Sequence, residues 1–232
     1  MTFELTGRVI KVAAPVRDQA AAMLRAAIQT GELPAGTPLI ERELCESLDI
    51  SRSSLREAMR TLEAESLIEI RPHRSPVVAT LSPETRRELY EVREALEGEG
   101  IRLFTQRASD EDVDRLEIIA LALADAIERG DAKALFETKS QFYDVVFDGA
   151  RNKELRHLAE VAYSRLAPLR VFTLTVPGRR AASGREVTAA IASVRARNAD
   201  AAETLWRKHV RGAAEAAEQL ASDGALPSAI PE

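Results

Sequence analysis

From Ser82 to its C-terminus the chain repeats one pattern, and that pattern leaves room for little except α-helix. A short polar residue opens each segment, and apolar side chains then return at helical spacing. Ser82 precedes Pro83, Ser109 precedes Asp112, and Asp131 follows Gly130; Asn152 follows "DGAR", Ser183 precedes Glu186, and Asp200 precedes Glu203. A hydroxyl or carboxylate at such a position accepts a free N–H of the first turn, and an acid placed three residues later completes a capping box. These signals predict about six helices, near 83–108, 110–129, 132–148, 152–172, 184–197 and 200–221. "TVPGRRAASG" is the longest loop expected among them, and "DGALPSAIPE" is expected to fray. Abundant alanine, 30% charged residues and only 4% aromatics favour helices over a β-sandwich.

The first 80 residues are organised differently. Residues 1–14 show no period and read as an arm. Val16, Ala20, Met23 and Ala27 form one helical stripe with Leu24 and Ile28 beside it, and Gly31 ends that helix. "LPAGTPL" is a turn, and Leu44, Cys45 and Leu48 mark a short second helix. A tight connection, "LDIS", leads into "SRSSLREAMRTLE". Ser51 is suited to cap that third helix. Leu55, Ala58, Met59 and Leu62 fall on one side of it, and Arg52, Arg56 and Arg60 recur on the other. "IEI", the turn "RPHRSP" and "VVAT" then read as a small hairpin.

An outer face of this kind suits the major groove of DNA. Arginine can hold guanine through two hydrogen bonds, and short hydroxyls at a helix N-terminus suit phosphate oxygens. The net charge of −5 means that a local patch must do this work, because the whole-molecule field repels phosphate. Cys45 is the only cysteine, so no intramolecular disulfide forms. No apolar run is long enough to cross a membrane, and no signal peptide opens the chain, so a soluble cytoplasmic protein with no membrane partner is expected. His157 and His73 have no evident nucleophile partner, and no phosphate-binding glycine motif is present, which argues against an enzyme.

"PAGTPLIERELCESLDISRSSLREAMRTLEAESLIEIRP" strongly resembles the winged-helix domain of GntR-type bacterial regulators. The match runs through Glu41–Leu44 and from Ser51 to Ile68. "ELYEVREALEGEGIRLF" and the helical remainder resemble the FadR-type branch, which carries a helical effector-binding (FCD-type) domain. The resemblance implies a mainly α protein, with a winged helix-turn-helix over residues 1–80 and an antiparallel helical bundle for effector binding and dimerisation over 81–232. It implies DNA contacts from Arg42, Arg52 and Arg56, helped by Ser51, Ser53 and Ser54, while the hairpin turn itself puts Arg71, His73 and Arg74 on a wing placed to reach the backbone or the minor groove. The expected partners are a palindromic double-stranded operator, a second copy of the chain and a small effector. Asp49, Ser66 and Ser75 stand where the family usually has glycine, so the wing contacts are expected to differ most.

Many members of this branch hold a divalent metal with an Asp-x-x-Phe-His pattern on one helix and two histidines on the last two helices. Here those positions carry Lys139, Tyr143, Val187 and His209, and a metal is not expected because only one ligand survives. Asp144 lies five residues beyond Lys139, about 140° around a helix, and is expected to face elsewhere. Lys139 shares a stripe with Leu135 and Tyr143, His209 one with Trp206 and Ala213, and Val187 one with Ile191 and Val194. A lysine that replaces a metal ligand puts a cation where the ion would sit. A carboxylate-bearing effector is therefore expected, held by Lys139, Tyr143 and His209 near Val187, with Arg165 or Arg93 as a second cation. No cofactor is expected. The competing reading is a helical-domain regulator that has lost its ligand and acts constitutively or through a protein partner.

Overall fold

A computed structural model describes residues 15–70, 74–167, 169 and 173–223. Helix α1 (Val16–Thr30) stops at Gly31, which takes φ 82° and turns its N–H back to Ile28 O. Its buried face differs from the expected stripe. Ala20, Ala21, Leu24 and Ile28 are buried, whereas Val16 and Met23 are 52% and 60% exposed. The side that meets Leu55, Met59 and Leu62 decides the matter, since only there does a neighbour cover the helix.

Helix α2 (Glu41–Leu48) ends at Asp49, which takes the left-handed conformation at φ 50°. Helix α3 (Arg52–Ala64) then begins, and the Ser51 side chain accepts the Ser54 N–H at 3.2 Å. Ser66 also has a positive φ, 57°, so two positions where glycine is usual keep the turn that glycine would make. Strands β1 (Ile68–Glu69) and β2 (Val77–Val78) pair antiparallel, with Ile68 opposite Val78. They are shorter than "IEI" and "VVAT" suggest. Pro38 bridges to Val77, so the chain before α2 joins the wing.

The remaining elements are α4 (Pro83–Arg107), α5 (Asp110–Arg129), α6 (Ala132–Ala150), α7 (Lys153–Leu166), a 3-10 turn (Thr173–Thr175), α8 (Arg179–Arg195) and α9 (Ala199–Ser222). Ser82, Ser109, Asp131 and Asn152 cap α4 to α7 as expected, with a full capping box at Ser109 and Asp112. The later starts differ. Asn198, not Asp200, caps α9, its side chain accepting the Ala201 N–H at 3.1 Å. Helix α8 begins at Arg179, inside the stretch read as a loop, because Gly178 turns the chain at φ 78°. Ser183 is therefore a buried mid-helix residue and not a cap. Helix α7 also ends earlier than predicted, at Leu166.

Helix α4 is the spine of the bundle and packs on α6, α7 and α9. Two glycines allow this. A Cβ on Gly98 would lie 2.8 Å from Arg207 Cγ, and one on Gly100 would lie 2.8 Å from Phe147 Cε1. Phe142 and Trp206 stack at the centre with centroids 4.8 Å apart.

Candidate functional site

The helix-turn-helix presents one polar face. Arg52, Ser53 and Arg56 are exposed on α3, Ser51 is exposed at its start, and Ser54 is half-buried, while Leu55, Ala58, Met59 and Leu62 are buried beneath. The Ser51 hydroxyl lies 2.9 Å from those of Ser53 and Ser54, so three hydroxyls cluster at the helix N-terminus. Arg56 grips Glu41 with two hydrogen bonds, 2.9 and 3.0 Å long, which join α3 to the first residue of α2. That guanidinium holds the Glu41 carboxyl below the usual carboxylate range. Arg42 is exposed on α2, 3.5 Å from Glu46, and Arg74 is exposed on the wing. His73 and Arg71 lie outside the described residues.

Lys139, Tyr143, Val187 and His209 are all buried, at 8%, 7%, 1% and 3% exposure. They do not fit a divalent ion. Val187 offers no donor atom, Lys139 brings a cation, the Tyr143 hydroxyl already serves Glu97, and His209 Nδ1 lies 3.0 Å from Glu186. Among the described residues no group of three His, Cys, Asp or Glu side chains is placed to hold an ion. Asp144 faces elsewhere, as its position on the helix implies, and pairs with Arg156.

Two polar networks fill the middle of the bundle instead, and both contain residues that periodicity does not single out. In the first, Arg93 Nε donates to Glu97 one turn along α4, and both side chains are almost wholly buried. Tyr143 Oη donates to Glu97 Oε2 at 2.8 Å, and Trp206 Nε1 donates to the same oxygen at 2.7 Å. Arg93 Nη2 lies 3.3 Å from Tyr143 Oη. One carboxylate thus ties α4, α6 and α9 together. Burial pushes the Glu97 carboxyl up, but the Arg93 charge and three donors hold it below the ordinary range. Arg93 is accordingly not an open second cation, because Glu97 matches its charge within the core. In the second network Arg179 donates to Glu186 at 2.8 Å and to the His209 carbonyl at 3.0 Å. Since a carboxylate can only accept, the His209 Nδ1–H donates to Glu186. Arg165 is half-buried, and its Nε has no hydrogen-bond partner.

These groups set a pH dependence. Burial pushes the His209 imidazole below its ordinary 6.5, and the charges of Lys139, Arg179 and Arg93 add to that, against the opposing Glu186 bond. Burial also raises Glu186, but its bonds from His209 and Arg179 leave it below 4.5. In each case the unfolded chain takes up the proton at higher pH than the folded one, so stability falls as pH falls. The His209 contribution is present above pH 6.5 and declines below it. Glu97 and Glu186 add a second decline below pH 4.5. Urea midpoints measured against pH should show both limbs, and His209→Asn should flatten the first; an unchanged first limb would assign it elsewhere.

Comparison with known proteins agrees with this arrangement. The gntR family model of bacterial regulatory proteins matches residues 16–78, and the FCD domain model matches residues 88–212. An uncharacterized HTH-type transcriptional regulator of Bacillus subtilis, YdhC, is 25% identical over 202 residues, covering 87% of this chain and 90% of its own. A probable D-xylose utilization operon transcriptional repressor of Paenarthrobacter nicotinovorans is 31% identical over 144 residues, 62% of each chain. The Glc operon transcriptional activator of Escherichia coli K12 is 36% identical over 105 residues, covering 38% of this chain and 41% of its own. Among solved structures, E. coli McbR/YncC superimposes with a TM-score of 0.78 at 18% identity, covering 90% of this chain and all of its own, which speaks to the fold. A GntR regulator from Rhodococcus sp. RHA1 does so with a TM-score of 0.72 at 20% identity, over 89% and 97% of the two chains. The FCD model alone spans more than half of the 232 residues, and the winged helix precedes it: the chain belongs to the GntR family of bacterial transcriptional regulators, in the branch that joins a DNA-binding head to an FCD effector-binding domain.

Proposed function

We propose that this regulator is a cytoplasmic homodimer, without enzymatic activity, that represses its target by holding a palindromic operator until a carboxylate-bearing metabolite enters the FCD bundle. Residues 1–80 would read DNA, and residues 81–232 would bind the effector and dimerise. The DNA contacts would come from Arg42, Ser51, Arg52, Ser53, Ser54 and Arg56, with His73 and Arg74 on the wing. The observation that carries the effector half is the burial of Lys139, which is 8% exposed near the buried imidazole of His209. A cationic side chain at this place in the bundle would draw the carboxylate of a ligand toward it. Tyr143 and His209 would supply hydrogen bonds, Val187 a wall, and Arg165 a further cation. The Arg93 charge is already matched by Glu97, so Arg93 would act through Tyr143.

A thermal-shift screen of small mono- and dicarboxylates tests this. A carboxylate should raise the melting temperature of the wild type and lose about tenfold or more in affinity on Lys139→Met, the scale of one charge-assisted contact. Equal binding by both proteins would remove Lys139 as the anchor. Absence of any carboxylate response would favour the competing reading, a regulator that has lost its ligand. The closed Arg93, Glu97, Tyr143 and Trp206 network speaks for that reading.

The dimer is expected from light scattering at micromolar concentration. Ile118 and Leu121, one turn apart on α5, are 69% and 70% exposed, the highest among the large apolar side chains described. An apolar face of this kind suits a second copy. Leu121→Asp should shift the protein toward monomer, and an unchanged dimer would place the interface on another face.

A further inference from the structure

A cavity of about 440 Å³ lies between the winged helix and the FCD domain, beside the bundle core. That volume is within the range of small-molecule sites, roughly 300–1,000 Å³. Arg25, Gln29 and Glu65 form its DNA-binding side, and α6 and α7 form the other. Its floor is aromatic. Tyr143 and Tyr163 lie with ring centroids 4.3 Å apart, Phe147 lies 6.1 Å from Tyr163, and Phe136 completes the lining.

The charge balance of the walls is uneven. Arg25 and Glu65 cancel one another through two hydrogen bonds of 2.7 and 2.6 Å. Arg156, however, pairs with both lining carboxylates Asp144 and Glu160, and also with Asp148 beyond the lining. Among the described lining residues one negative charge is therefore left over beside the aromatic rings. Ring faces and a surplus carboxylate both attract cations, and both disfavour a carboxylate ligand. We propose that this cleft is a second ligand site, beside the bundle core and sharing Tyr143 with it, that takes an organic ammonium compound with an aromatic or apolar body.

The position gives such a ligand a route to the DNA-reading helix. Glu65 follows α3 directly, and Gln29 Nε2 donates to Ser164 Oγ at 2.8 Å across the two domains. Tyr143, in the floor, reaches Glu97 in the bundle core. An occupant therefore touches the end of the recognition helix and the central network together.

Calorimetric titration of the full-length protein tests the site with phenethylamine, tryptamine and benzyltrimethylammonium, set against phenylacetate and indole-3-propionate. At least one of the three cations should bind saturably with a Kd below about 1 mM, and the two carboxylates about tenfold more weakly or not at all. Val161→Trp, a substitution at a half-exposed position of the cleft lining, and the Asp144→Asn, Glu160→Gln pair should each weaken the cation by about tenfold or more. Lys139→Met should leave it unchanged, which separates this site from the carboxylate site proposed above. Failure of all three cations, equal binding of the carboxylates, or indifference to both the cleft-filling and the charge-removing variants would overturn the proposal.

Discussion

Replacing Glu97 with glutamine is expected to cost about 3–5 kcal/mol of folding stability, the scale for breaking a buried ion pair from one side. The guanidinium of Arg93 would remain, 2% exposed and unable to shed its charge. Tyr143 and Trp206 would share a neutral amide oxygen in place of a carboxylate oxygen. Since the three contributing helices meet at this one group, the loss should appear as a lowered urea midpoint for the whole bundle. The paired change Arg93→Met with Glu97→Leu removes both charges and should recover only part of the loss, because the buried Trp206 N–H and Tyr143 hydroxyl then lose the oxygen they donate to. A single variant within about 1 kcal/mol of wild type would show that Arg93 finds another partner or water.

The second large effect concerns DNA. Arg52→Ala and Arg56→Ala should each cost roughly 1–3 kcal/mol of operator binding if the residue reads a base, and the double variant should lose most specific affinity. Arg56 carries an extra consequence. Its removal frees the carboxylate of Glu41, which would then face the phosphates unmasked. Folding stability should hardly change, because an exposed pair contributes little. Fluorescence anisotropy with the native operator measures the first quantity and urea unfolding the second. Full affinity in the double variant would remove the assignment of α3 as the reading helix.

What can be read from the residues alone divides along the range of the interactions involved. Ser51, Leu55, Ala58, Met59 and Leu62 lie within three turns of one another, so cap and buried face follow from spacing. Lys139 and His209 were legible as inward-facing for the same reason. Glu97 was not. It lies in "EGEG", a run that looks solvated, and its burial depends on Trp206, 109 residues away. The available signal was the glycine on either side of Glu99, since Gly98 and Gly100 mark close approach of neighbouring helices. Arg179 was hidden by Pro177 and Gly178, which read as loop punctuation yet end in the turn that launches α8. Val16 and Met23 show the limit of periodicity: α1 offers apolar residues on more than one side, and only tertiary contact chooses among them.

The 109-residue span between Glu97 and Trp206 also orders events during synthesis. The described core of the winged helix draws on residues 20–78, so everything in it has been translated before α4 begins. At about 5–20 residues per second, the ribosome needs roughly 5–20 s more to deliver the indole that closes over Glu97. Throughout that interval the nascent chain carries a finished reading head on an unfinished sensor. A message broken before the codon for Ala199 therefore encodes a head whose sensor lacks its last helix.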